Sequence, residues 1–123
     1  MKKYSKNHSW LKVDNDGTVT VGITKQIVEM IGEIVHIEPP ELSSSCNLGD
    51  EILALEATKS VSDIEAPISG EIIEFNNELE DNIEIVNEHS EDKGWLYKMK
   101  PHDITELKAL LDSNQYQDFV ENS

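Results

Sequence analysis

In the stretch EATKSVSDIEAPISGEII, Glu56 to Ile73, a single ammonium stands among carboxylates. Lys59 is the only lysine or arginine between Gln26 and Asp92, and the chain has no arginine at all. The apolar runs EILALEA before it and VSDI after it read as two short antiparallel strands, which puts Lys59 where they turn, at a hairpin tip. Such a tip exposes an amine to a modifying enzyme while the strands hold its backbone still, and the four-carbon stem supplies reach. A rigid base with a flexible arm is the design of a carrier. On spacing alone, an ordinary hydrophilic turn lysine is the commoner case and is favoured.

Other reactive side chains give weaker signals. Cys46 is the single cysteine, set in SSSCN with no second thiol for a disulfide or a CxxC pair. His8, His36, His89 and His102 never fall in HxH or HxxxH spacing, and no metal site is expected. Acid pairs such as Glu78 with Asp81 lie in a run that reads as solvated, which gives them no reason to act as acid and base. Neither GxSxG nor GxxxxGK occurs. No catalytic residue is assigned, and the chain is not expected to be an enzyme.

The whole chain constrains its partners. It has 123 residues, with 10 Lys+Arg against 25 Asp+Glu, a formal net charge of -15. That charge repels nucleic-acid phosphates and anionic membrane surfaces, so neither is expected as a partner, and it steers the protein towards basic docking surfaces. The N-terminal MKKYSKNHSW lacks an apolar stretch behind its lysines, and no run is long enough to span a bilayer. The expected location is the cytoplasm, or the mitochondrial matrix only if a transit peptide has been removed. The length suits one domain, residues 1–123, expected to be a monomer.

The elements that would position Lys59 are short and mostly extended. TVTVGI alternates Val19, Val21 and Ile23, and EIVHIE is expected to turn Val35 and Ile37 to one face. Between them Thr24 is placed to cap the helix KQIVEMI, which Gly32 stops. Pro39-Pro40 marks a loop, and strands resume through GDEILALEA, VSDIEA and GEIIEFN, a hairpin region of about residues 49–75. Gly70, after Pro67, is expected in a tight turn. Residues 74–92, with eight acids and no lysine, read as a solvated loop with a short ordered piece at IEIVN. GWLYKM offers Trp95, Tyr97 and Met99 as a closing strand. HDITELKALLD carries an Asp103/Glu106 capping-box pattern and an apolar stripe of Ile104, Leu107, Leu110 and Leu111, followed by NQYQDFV; one or two docked helices are expected over about 103–121.

These segments carry a resemblance. EATKSVSDIEAPISGEIIEFN resembles the lipoyl-attachment segment of the glycine cleavage system H protein family, YSKNHSWLKV resembles that family's beginning, and VTVGIT with GEIVHIEPPE its next portion. EIVN and GWLYKMKP resemble its later portion, so the likeness runs from about Tyr4 to Phe119. The biotin-type MKM is absent, and the GWL and HxW landmarks select the H proteins over other hairpin-lysine carriers. The resemblance implies a mainly β, flattened barrel-sandwich hybrid of the lipoyl/biotinyl-carrier type, with a short internal helix and one or two C-terminal helices.

It also implies that lipoic acid is joined to Lys59 through an amide. The arm then takes the aminomethyl group left when the pyridoxal-phosphate enzyme glycine decarboxylase acts. It delivers that group to a tetrahydrofolate-dependent aminomethyltransferase, and dihydrolipoamide dehydrogenase reoxidises it. A lipoate-attaching enzyme is a further implied partner. Asp63 and Asn7 match positions at the cleft that holds the loaded arm. Ser9 departs from the pattern: the family commonly reads HEW where this chain reads HSW, so a hydroxyl replaces a carboxylate. A charge-assisted hydrogen bond is about twice as strong as a neutral one. Two alternatives accompany this reading: an H-like carrier serving lipoyl relay or redox-linked modification, and an unlipoylated interaction module of the same fold.

Overall fold

The computed structural model describes residues 2–122. Strands β1 (Lys2–Tyr4), β2 (Ser9–Val13) and β3 (Val19–Ile23) form an antiparallel meander. Helix α1 (Lys25–Ile31) leads to β4 (Ile34–Glu38), then β5 (Ser45–Cys46), β6 (Glu51–Ala57), β7 (Val61–Glu65) and β8 (Gly70–Phe75). Two short helices, α2 (Glu78–Asp81) and α3 (Glu84–Glu88), precede β9 (Tyr97–Pro101). A 3₁₀ turn (Ile104–Ala109) and helix α4 (Ser113–Glu121) end the order. One sheet runs β1-β2-β3-β9-β8-β5 and the other β4-β6-β7, all pairings antiparallel. The fold is mainly β, as the sequence implied.

The core fills the space between the sheets. Val19, Val21 and Ile23 of β3 are wholly enclosed with Leu11, Leu55, Ile68, Ile72, Tyr97 and Met99. Fully burying an aliphatic side chain of this size contributes about 1.5–3 kcal/mol, so these positions dominate the stability. A second cluster closes one edge: Tyr4 and Tyr116 stack at 4.7 Å beside Trp10, which joins α4 to β1.

Several local expectations are corrected. Val35 is 53% exposed, because the register shifts between Ile34 and His36 and the bulge leaves Ile34 and Ile37 as the inward pair. The Asn87 side chain secures that bulge, accepting from the Ile34 amide at 2.8 Å and donating to its carbonyl at 3.0 Å. Residues 74–92 hold the ordered piece expected at IEIVN, as α3, but the rest is not simply a solvated loop, because β8 runs to Phe75 and α2 forms as well. Helices α2 and α3 drive Leu79 and Val86 into the core, and only their outer faces carry the acids.

Thr24 stands at the N-cap of α1 but makes no side-chain cap, its hydroxyl being committed to Tyr116. Asp103 does cap the 3₁₀ turn through Thr105, whereas Glu106 leaves the expected box to accept from the amide and hydroxyl of Ser69 at 2.9 and 2.7 Å. The true capping box is at the next helix, α4, Asp112 with Gln115. The stripe Leu107 and Leu110 is only half-buried, and Ile104 is 52% exposed. Gly70 begins a strand instead of making a turn; a Cβ there would meet the Lys100 carbonyl at 2.5 Å.

Candidate functional site

Lys59 is exposed at the β6–β7 tip, where the Ala57 amide donates to the Ser60 carbonyl at 2.9 Å and leaves Thr58 and Lys59 as a two-residue loop. Two-residue hairpin loops ordinarily need positive φ at one or both residues. Neither Thr58 nor Lys59 has it. The loop is held from outside instead: the Thr58 amide donates to Glu33 at 3.0 Å and the Lys59 amide to Ile31 at 3.1 Å. Both acceptors flank Gly32, where α1 ends with φ at +89°. A Cβ on Gly32 would lie 2.4 Å from the Thr58 hydroxyl and 3.2 Å from Lys59 Cγ, so both the backbone angle and the close approach require glycine. The base of the arm is thereby fixed to a helix terminus while its amine stays in solvent.

Beside this tip lies a cleft of about 360 Å³ lined by Lys6, Asn7, His8, Met30, Ile31, Asp63 and Glu65, so one ammonium accompanies the two carboxylates. Ile31 belongs both to this wall and to the tether of Lys59. The expected residues Asn7 and Asp63 are thus brought together, although they are distant in sequence. Ser9 is not. Its side chain is 1% exposed, its hydroxyl has no hydrogen-bond partner, and its backbone instead closes the Ser5–Ser9 turn.

Glu65, missed by sequence reasoning, supplies a second carboxylate to the cleft and accepts from Asn7 Nδ2 at 2.7 Å. The signal was present in VSDIE: Asp63 and Glu65 are two residues apart on one strand and so share a face.

The far wall depends on α4. His8, held at a φ of 67°, meets the Tyr116 hydroxyl through Nδ1 at 2.7 Å, and the same hydroxyl contacts Thr24 Oγ1 at 2.8 Å. Partial burial lowers the His8 pKa below its ordinary value and raises that of Tyr116, so at neutral pH this contact joins two uncharged groups. Cys46 is buried, which raises its thiol pKa and leaves it a poor nucleophile.

A pinned hairpin lysine with an exposed amine, set on a two-sheet sandwich beside a cleft, is the build of a swinging-arm carrier domain. Comparison with known proteins narrows the class. The glycine cleavage H-protein family model matches residues 2–123. The chain is 43% identical to the glycine cleavage system H protein of Escherichia coli O7:K1, covering 98% of this chain and 93% of that one. It is also 43% identical to that of Teredinibacter turnerae, over 98% and 92%. The crystal structure of a glycine cleavage system H protein from Mycobacterium marinum superposes with a TM-score of 0.86 at 31% identity, over 98% and 96% of the two chains. The chain belongs to the glycine cleavage H-protein family, whose members are non-catalytic lipoyl carriers of that system. Among the described residues no helix is long and apolar enough to cross a membrane.

Proposed function

We propose that Lys59 is the lipoylated residue, and that on it the protein carries the aminomethyl group of glycine from glycine decarboxylase to the aminomethyltransferase. Dihydrolipoamide dehydrogenase and a lipoate-attaching enzyme complete the partners. The observation that carries this reading is an exposed amine on a tip tied by two backbone bonds to the end of α1, directly beside a cleft with two carboxylates. The site fits the group: the Lys59 ammonium has no ion-pair partner among the described residues, so forming an amide there breaks no existing contact. Ile27, Ile31 and Met30 offer apolar surface for a hydrocarbon chain, and Met30 is adaptable enough to pack against sulfur.

When bound, the lipoyl group supplies a reducible disulfide that takes up and hands on the aminomethyl fragment. This chain's residues supply the holding. Asp63 and Glu65 present negative charge to a protonated amine, and Asn7 orients Glu65. Glu65 therefore stands in for the carboxylate missing at Ser9.

The test is modification. Protein incubated with lipoate and a lipoate-attaching enzyme gains the mass of one lipoyl amide, and peptide mapping assigns it to Lys59. Lys59→Arg abolishes the gain while shifting stability by at most about 0.5 kcal/mol, as befits an exposed turn. Modification of Lys25 or Lys93 in its place would sink the assignment.

A further inference from the structure

The cleft beside Lys59 takes two of its walls from different segments. Asn7 and His8 belong to the loop before β2, and Ile27, Met30 and Ile31 belong to α1. Both segments leave one joint, where the Thr24 amide donates to the His8 carbonyl at 3.0 Å. Upstream of it the chain runs back into the loop wall. Downstream α1 begins, and it leads to the Ile31 and Glu33 carbonyls that accept from the Lys59 and Thr58 amides.

The ladder of β2 and β3 ends with Ser9 opposite Ile23, so the His8–Thr24 backbone bond alone would let the two segments splay. A hydroxyl from a third element closes the joint. Tyr116 Oη lies 2.7 Å from His8 Nδ1 and 2.8 Å from Thr24 Oγ1. Its one proton goes to one neighbour and its lone pair accepts from the other, so both bonds hold at once. His8 sits at a φ of 67°, a left-handed angle that a non-glycine residue keeps only where its surroundings over-determine it. Thr24 is 1% exposed and its side chain does not cap α1, which leaves its hydroxyl to Tyr116.

Tyr116 does not line the cleft itself. Its ring is fixed independently of the arm. It stacks on Tyr4 at 4.7 Å, Tyr4 and Leu111 exchange two backbone hydrogen bonds of 2.8 Å, and α4 starts from its own capping box. The hydroxyl is therefore a point set by the C-terminal helix, against which both walls are registered.

We infer that Tyr116 is a positioning residue for the carried group: its hydroxyl sets the spacing between the loop wall and the α1 wall, and so how firmly a loaded arm is retained between them. The inference rests on the proposed carriage on Lys59 and deepens it. A binding constellation keeps its geometry only where supporting hydrogen bonds lock the residues that form it. Removing the hydroxyl frees the Asn7–His8 wall from α1 while Lys59, in solvent at the hairpin tip, stays accessible. Retention of the group is affected, and attachment of lipoate is not.

Tyr116→Phe keeps the stacked ring and removes only the hydroxyl. Lipoylated, aminomethyl-loaded Tyr116→Phe should release ammonia about two- to tenfold faster than wild type, the range for one lost neutral hydrogen bond, with its rate of lipoate attachment unchanged. Thr24→Val should act in the same direction, and the double change should fall short of the product of the two. In unmodified protein, hydrogen exchange should speed at the His8 and Thr24 amides together in Tyr116→Phe. Leu111→Ala is the stability control, since it removes packing from the same aromatic cluster and leaves the hydroxyl in place. It should lower stability yet change neither the release rate nor those two amides. Release and exchange at wild-type rates in Tyr116→Phe, or an equal speeding of both by Leu111→Ala, would overturn the inference. A wild-type protein that takes no lipoate would sink the carriage reading instead, and exchange in the unmodified protein would still decide whether the hydroxyl joins the walls.

Discussion

In the proposed reading, Glu65 takes the role that a family pattern alone would give to residue 9. Its carboxylate and that of Asp63 line the same cleft, and Asn7 holds it in place through a bond of 2.7 Å. Both carboxylates are exposed, so each ion pair they form with the arm's amine is worth only about 0.2–1 kcal/mol. Glu65→Gln is therefore expected to speed loss of the amine from aminomethyl-loaded protein about two- to fivefold, followed as ammonia release. Glu65→Gln with Asp63→Asn should exceed either single change. An unaltered release rate in the double variant would remove electrostatic holding from the account. Ser9 is enclosed and its hydroxyl has no hydrogen-bond partner, so no contribution to the holding is expected from it.

Among the elements, the end of α1 matters more to Lys59 than the hairpin's own turn does. Gly32→Ala must place a side chain at positive φ and 2.4 Å from Thr58, so it is expected to destabilise the protein by more than about 1 kcal/mol. It should also slow lipoate attachment, checked by a denaturant titration and a timed mass measurement. The 3₁₀ turn is the opposite case. Leu110 is only half-buried, so Leu110→Ala should cost about 1 kcal/mol, short of the 2–5 kcal/mol of an enclosed leucine, with lipoylation unchanged.

These same elements show what periodicity conveys. The alternation of β3 and the glycine at 32 were legible, because a buried strand and a helix stop are local properties. The hairpin tip was legible for the same reason. The inward turn of Ile34 was not, since it depends on a bulge secured by Asn87, distant in sequence. Nor was α2, whose acids mask the single apolar residue it buries, although an ordered piece at IEIVN, where α3 lies, was expected. Glu106 and Thr24 matched cap patterns but bond to Ser69 and Tyr116, partners that only the tertiary fold brings near. Asn7 and Asp63 were placed by resemblance alone, and nothing local joins β7 to the loop before β2.

At the scale of the whole molecule, helix α4 meets the N-terminal segment beside the cleft. Tyr116 of α4 stacks on Tyr4 and bonds to His8 and Thr24, so the C-terminal helix braces the N-terminal wall. Burial depresses the His8 pKa in the folded state relative to the unfolded value of about 6.5. The folded protein thus binds fewer protons than the unfolded chain below that pH. This contribution to stability is complete above about 6.5 and is lost as pH falls through the folded-state value. Wild type should consequently lose stability relative to His8→Asn on acidification from neutral pH. Asparagine tolerates the positive φ without titrating, and the difference between the two proteins cancels the shared carboxylates. Parallel pH profiles would show that His8 does not titrate on folding.

The tether between α1 and the hairpin also sets the motions by which the carrier loop comes apart. Thr58 and Lys59 sit in solvent, yet their amide protons are sequestered by carbonyls at the helix end. Deuterium can replace those protons only when the α1 terminus separates from the loop, so the two segments form one opening unit. An exposed side chain is then attached to backbone that exchanges on the helix's timescale, and solvent-slow amides at an exposed tip become the kinetic signature of a folded carrier.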